Sequence, residues 1–216
     1  MPSLPPLALV FGLIGLALGL VADRLATRWP EHDDENAPGR AVGWRTAVVA
    51  VLGAIAFGLL PARFEGDPLA LGLFGAWFAL LVIGLATDLD QRLLPNITTL
   101  PIVPIALLYA LSGRNPLVAD ELLGAIAAAV VIPAALYLPS LPFGAGAFGL
   151  GDVKLLAGLG LMAGLSRALG GVVVGLLVAG VVLALLLVAR RIGRRSYVPF
   201  GPFLILGAFW AVLLRP

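Results

Sequence analysis

The sequence predicts an all-α fold, a polytopic membrane bundle of about eight transmembrane segments, and three observations carry that expectation. Hydrophobic residues make up 61% of the chain, mean hydropathy is +1.07, and only 12% of residues are charged, about half the share usual in soluble domains. The charges gather between apolar runs of spanning length, which is about 20 residues. Glycine (27) and proline (17) are abundant, as expected where helices pack closely and break within lipid.

The elements follow in order from where the charges punctuate the chain. The opening MPSLPPLALVFGLIGLALGLV lacks a basic leader region and a clear small-residue cleavage site, so Leu4–Val21 reads as a retained first span. Residues 23–45 form a polar loop, including EHDDEN, that is too short for a folded domain. Thr46–Leu60 and Leu69–Thr87 follow as spans two and three, and Leu94–Ser112, with Pro101 and Pro104, is a kinked fourth. Leu122–Leu138 is the fifth, and Val153–Leu165 is a short sixth that enters only partway. Ala168–Ala189 and Val198–Leu214 complete the set. Six- and seven-span alternatives remain open at this point. Positively charged residues collect on the cytoplasmic side of membrane proteins. With eight spans and both termini outside, that side takes Arg24, Arg28, Arg40, Arg45, Arg92, Lys154, Arg190, Arg191, Arg194 and Arg195, and the outside keeps Arg63, Arg114, Arg167 and Arg215. The economical reading is one membrane domain over residues 1–216, with the 23–45 loop cytoplasmic.

Several function classes drop out. A chain without cysteine has no disulfide and no thiolate metal site, and the lone His32 cannot build a zinc centre. The net charge of +2 is too small to point to nucleic acid. Trp29, Trp44 and Trp210 read as interface anchors and Trp77 as packing. The cluster Arg190, Arg191, Arg194, Arg195 reads as a topology anchor, and EHDDEN as a solvated loop. The spaced pairs Gly15/Gly19, Gly160/Gly164 and Gly171/Gly175 read as helix packing within one bundle rather than a dimer face.

Two acidic clusters fall on one predicted membrane face. The first is ATDLDQRLLPN, Ala86 to Asn96, at the end of span three. Pro95 disfavours helix at Leu94, so the helix should end near there, with Asp88 and Asp90 on its last turns. Residues two apart on a helix point about 200° apart, so only one of the pair can face a given partner. Asp88 lies nearer the apolar span on a stripe with Gly84 and Arg92, and an Asp88–Arg92 ion pair is the bland alternative to a catalytic role. The second cluster is GLGDVK, Gly149 to Lys154, after a glycine run at 144, 146, 149 and 151. Such a run permits positive φ or close approach to a substrate strand. Asp152 then opens a helix, where its carboxylate can cap free N–H groups, and the helix dipole with Lys154 favours its ionised form. An ordinary helix cap is the bland alternative there. An intramembrane carboxylate costs about 2.5–3.5 kcal/mol on insertion scales, which makes it a functional candidate by default. Two aspartates sharing one proton activate a water: the ionised one takes its proton and the neutral one polarises the scissile carbonyl. Asp152 is the expected ionised partner and Asp88 the neutral one.

At these residues the chain resembles the bacterial type IV prepilin leader peptidases of the GxGD aspartic protease class. Asp88-Leu-Asp-Gln-Arg-Leu-Leu-Pro95 is similar to the family's first motif and Gly149-Leu-Gly-Asp152-Val-Lys154 to its second. VPFGPFLILGAF, Val198 to Phe209, and GLALGLVADRLATRWP, Gly15 to Pro30, are similar to its weaker signatures. The resemblance implies that Asp88 and Asp152 are catalytic, with Gly149, Gly151, Lys154, Arg92, Asp90 and Pro95 in supporting or substrate-binding places. It implies a multi-pass protein of the bacterial cytoplasmic membrane, in contact with lipid, whose partners are prepilins or pseudopilins cleaved after a glycine. No cofactor is then required for proteolysis. Many members carry paired Cys-x-x-Cys motifs in the first loop and also methylate the new N-terminus with S-adenosylmethionine. The cysteine-free loop here lacks that zinc subdomain, so S-adenosylmethionine enters only if methyltransferase activity is retained. A proton-coupled transporter and a non-catalytic membrane scaffold are the rival classes.

Overall fold

The computed structural model describes residues 4–30, 38–119, 121–143, 148–193 and 198–215. The described residues are helical, with no strand among them: α1 (Leu4–Ala26), α2 (Trp44–Arg63), α3 (Pro68–Gln91), α4 (Asn96–Thr99), α5 (Ile102–Leu111), α6 (Leu122–Ser140), α7 (Leu150–Val188) and α8 (Gly201–Leu213). Five of them, α1, α2, α3, α6 and α7, are long and apolar enough to cross a membrane, and two shorter apolar stretches are 96–111 and 201–213. The chain is a multi-pass membrane protein. It divides into two compact units, one ending at Ile105 and one beginning at Ala106.

In the first unit α1 packs along α2, and both meet α3. The close approach of α1 and α2 is why Gly15 and Gly19 carry no side chain. A Cβ on Gly19 would lie 2.6 Å from the Ala50 Cα, and one on Gly15 would lie 2.7 Å from the Phe57 Cβ, so this glycine pair packs within the unit as the spacing predicts. Asp67 starts α3 by accepting the Ala70 N–H at 2.9 Å, with Pro68 in the first helical turn where its missing donor costs nothing. Trp77 is buried between Phe74 and Phe78, the packing role expected of it. The predicted fourth span is broken as its prolines require, into α4 and α5 on either side of Leu100 and Pro101.

Two boundaries differ from the sequence reading. Helix α1 does not stop at Val21 but runs to Ala26, because the charge at Asp23 is neutralised in place rather than solvated. The predicted sixth and seventh spans are joined in α7, whose 39 residues would extend about 58 Å at 1.5 Å per residue, roughly twice the hydrocarbon thickness. The helix is interrupted at Gly164, where φ is 78° and ψ 170°, a conformation open to glycine and strained for other residues. The break therefore falls just before the polar Ser166–Arg167 step that suggested it. In this second unit buried Asn115 compensates the interruption: its Nδ2 donates to the Met162 carbonyl and its Oδ1 accepts the Leu117 N–H, both at 3.0 Å. Helix α7 packs on α6 and α8. A Cβ on Gly171 would come 2.6 Å from the Gly207 carbonyl oxygen, and one on Gly175 the same distance from that of Phe203, so this pair also serves packing. Of Gly160 and Gly164 only Gly160 does, where a Cβ would lie 2.5 Å from the Ala129 N, and Gly164 breaks the helix instead. EHDDEN with His32, Gly144, Gly146, Arg194 and Arg195 lie outside the described residues.

Candidate active site

Both aspartates proposed from the sequence are buried at helix ends, one in each unit. In the first unit α3 ends at Gln91, three residues ahead of Leu94, because Arg92 takes the left-handed conformation at φ 55° and its N–H closes on the Asp88 carbonyl at 2.9 Å. Arg92 is thereby turned out of the helical stripe that the sequence assigned it with Asp88. Pro95, extended at φ −63° and ψ 146°, starts α4, and Thr98 donates back to its carbonyl at 2.8 Å. Asp88 and Asp90 stand on the last turns of α3, 5% and 8% exposed.

The structure separates these two neighbours. Asp90 Oδ1 accepts from Arg40 Nε at 2.6 Å and from Arg45 Nη1 at 3.0 Å. Arg40 comes from the chain leading into α2 and Arg45 from the first turn of α2. Asp90 is thus held in an ion-pair cluster. The same cluster contains Asp23, only 1% exposed. Its Oδ1 accepts from Arg40 Nη2 at 2.6 Å and its Oδ2 from the Thr46 hydroxyl at 2.7 Å, and Arg24 closes on it from the adjacent position. Burial works against the Arg40 charge, but the hydrogen bonds to Asp90 and Asp23 outweigh it and raise the guanidinium pKa above its ordinary value. Gln91 Nε2 adds a bond of 2.8 Å to the Ala26 carbonyl at the end of α1. Asp23, Arg40 and Arg45 were missed as site residues by the sequence reading. No local signal marks the cross-links among them and Asp90, which join positions 17 to 50 apart.

In the second unit Asp152 is the third residue of α7 rather than its first. Its Oδ2 accepts the Gly149 N–H at 3.3 Å, the reach-back of a helix cap. Gly149 itself is at φ −74° and ψ 145°, so its glycine is not needed for positive φ. It is needed for room: a Cβ there would lie 3.2 Å from Asp152 Oδ2. The other oxygen, Oδ1, is buried with no hydrogen bond from the described residues. Gly151 and Lys154 lie in the first turns of α7, half-buried. The aromatic pair Phe148 and Phe200, with centroids 6.0 Å apart, joins the stretch before Gly149 to the start of α8, linking the second motif to the VPFGPF segment.

Chemically, a buried carboxylate with one oxygen in a cap and the other unsatisfied is poised to take a proton, hold a water or meet a second carboxylate. Among the described residues no three His, Cys, Asp or Glu side chains are grouped to hold a metal ion. A cavity of about 400 Å³ beside α3 is lined by Leu25, Trp29, Leu80, Ile83, Ile97 and Thr98.

Residues 66–189 match the sequence profile of Peptidase_A24, the type IV leader peptidase family. The chain is 39% identical over 158 residues to a prepilin leader peptidase/N-methyltransferase of Burkholderia pseudomallei, covering 72% of this chain and 50% of that one. It is 34% identical over 127 residues to the protein of that name from Aeromonas salmonicida (59% of this chain, 43% of the relative). To that of Pseudomonas aeruginosa it is 29% identical over 174 residues (81% and 59%). The chain thus spans about half the length of the curated relatives it matches. No solved structure matches significantly.

Proposed function

Because the chain belongs to the type IV leader peptidase family, we propose that it is a membrane aspartic endopeptidase that removes the leader of prepilins or pseudopilins at the cytoplasmic face of the bacterial inner membrane. Asp88, on the last turns of α3, and Asp152, in the first turn of α7, are the catalytic pair of one membrane domain. They share a proton. The ionised carboxylate takes a proton from water as the water oxygen bonds to the scissile carbonyl carbon, and the protonated one donates a hydrogen bond to the carbonyl oxygen. Collapse of the tetrahedral intermediate breaks the C–N bond, and the leaving amine takes up a proton from the pair.

The observation that carries this reading is Asp152 Oδ1, buried without a hydrogen bond from the described residues while its sister oxygen caps Gly149. A merely structural cap needs one oxygen and leaves the other to solvent or a donor. The burial of Asp88 on the last turns of α3 supports it, with Asp90 beside it held by Arg40 and Arg45. The topology that fits is eight crossing segments with both termini outside, α7 supplying two of them across Gly164 and residues 96–111 supplying the fourth. In this arrangement Gly149, Gly151 and Lys154 border the path of the substrate chain. Pro95 and Arg92 terminate α3 behind Asp88.

The test is cleavage of a purified prepilin in lipid vesicles, with mass spectrometry of the new N-terminus. Cleavage at one bond after a glycine is the expected result, and the product's mass reports directly whether a methyl group is added. Intact prepilins from several systems, accompanied by aspartate-dependent proton flux in the same vesicles, would overturn the peptidase reading in favour of a transporter.

A further inference from the structure

The cluster that ties Asp23, Arg40, Arg45 and Asp90 together is not used by the chemistry above, and it is far more elaborate than a solvated loop requires. Arg40 is the centre. One guanidinium bridges two carboxylates from different helices, Nε to Asp90 at the end of α3 and Nη2 to Asp23 near the end of α1, both at 2.6 Å. Arg45, in the first turn of α2, adds a second cation to Asp90. Arg24 donates to the Arg40 carbonyl at 3.0 Å and to Thr46 at 3.2 Å, so the backbone that carries Arg40 is itself fastened. Gln91, next to Asp90, is bonded to the Ala26 carbonyl. The last turn of α3 is therefore gripped on successive residues, one turn or less beyond Asp88.

We propose that Arg40, with Asp23 and Asp90, is a positioning clasp for cleavage: it fixes the end of α3, and so the place of Asp88, by bridging α1 and α3 through the chain that enters α2. This rests on the peptidase reading. The physical need is plain. Helix ends fray, and a catalytic group displaced by about 1 Å can lose on the order of 100-fold in rate. A bridge of this kind depends on the planar fork of arginine, which can donate from two separate nitrogens in fixed directions, whereas the single ammonium of lysine cannot span both carboxylates in the same way. The clasp acts through Asp88 and touches no reacting atom.

The experiment uses the full-length protein in lipid vesicles and the variants Arg40→Gln, Arg40→Lys, Asp90→Asn and the double variant Arg40→Gln/Asp90→Asn. Two readouts are taken: kcat and KM for prepilin cleavage, and the rate at which trypsin cuts after Arg45 in wild type and all variants, and after Arg40 where it is retained. Each single substitution should lower kcat about 10- to 100-fold with KM within about twofold. The double variant should be no slower than the worse single, because all act on one network. Arg40→Lys should remain impaired although it keeps the charge. Trypsin should cut after Arg40 faster in Asp90→Asn than in wild type. Wild-type kcat in Asp90→Asn and Arg40→Gln, or full rescue by Arg40→Lys, would overturn the clasp and leave the peptidase reading standing. Altered trypsin cleavage in variants of a wild type that processes no prepilin would instead overturn the peptidase reading, and with it any role of the clasp in cleavage.

Discussion

Replacing Gly149 by alanine should slow cleavage several-fold while leaving stability nearly unchanged, because two small effects on the fold cancel and a third, at the site, does not. At φ −74° and ψ 145° alanine is unstrained. Removing glycine's freedom from the unfolded chain should then stabilise by about 0.4–1 kcal/mol. The new Cβ, however, would stand 3.2 Å from Asp152 Oδ2, so the carboxylate must give way by a few tenths of an ångström. The Gly149 N–H bond to it is already long at 3.3 Å, and losing it costs about 0.5–1.5 kcal/mol. The net is within about 1 kcal/mol, a change of roughly 2–4 °C in Tm for a chain of this size. The catalytic consequence is larger. If a displacement of about 1 Å can cost on the order of 100-fold, a few tenths should cost about 3- to 10-fold in kcat. The assay pairs initial rates of prepilin cleavage in vesicles with thermal unfolding of the same preparation followed by circular dichroism. Wild-type kcat in Gly149→Ala would refute the argument that Asp152 is the reacting group whose place this glycine secures. A loss of stability beyond about 2 kcal/mol would refute the bookkeeping of the cap.

Other perturbations address the scaffold. Asn115→Leu removes both bonds that compensate the break in α7 and strands the Met162 carbonyl and the Leu117 N–H, so it should destabilise by about 2–4 kcal/mol, read as a lower Tm in detergent. Gly19→Leu places a Cβ 2.6 Å from Ala50 Cα. Backbone must move, and the cost should be about 1–3 kcal/mol or more, visible as a fall in Tm or in folded yield. Arg40, with its pKa raised by Asp90 and Asp23, contributes stability that is complete below its unfolded pKa and is lost only as pH rises through the still higher folded one. Protection of the 38–46 segment from trypsin, corrected for the enzyme's own pH dependence, should therefore stay flat from about pH 7 to 9, and loss of protection within that interval would contradict the assignment.

The parts of the fold that were legible in the sequence are those decided locally. Pro95 disfavours a helical Leu94 and so sets an outer limit to α3, which Arg92 ends three residues earlier, the Pro101 break divides the fourth apolar run, and Gly15 and Gly19 announce a close helix contact four residues apart. The acidic motifs were legible for the same reason, each being a short pattern at a helix end. What escaped was decided at a distance. Asp23 reads as the first polar residue after a span, yet it lies inside α1 because Arg40 and Thr46 satisfy it from 17 and 23 positions away. Arg40 and Arg45 read as inside-facing charges, and only folding shows that they meet Asp90. Gly164 sits in a run rich in glycine, so no composition signal singles it out, and the compensating Asn115 lies in a separate connection. At Arg92 the helical spacing was applied one residue too far, since the stripe it shares with Asp88 ends where the left-handed turn begins.

The measurement that reaches the central claim most directly is prepilin cleavage in vesicles by the wild type and by Asp88→Asn, Asp152→Asn and Asp90→Asn, each checked for folded yield. Asparagine keeps the shape of aspartate and removes its proton chemistry. The account predicts no product from the Asp88 and Asp152 variants at any time, and the correct product, formed more slowly, from Asp90→Asn. Processing retained by either Asp88→Asn or Asp152→Asn would contradict it.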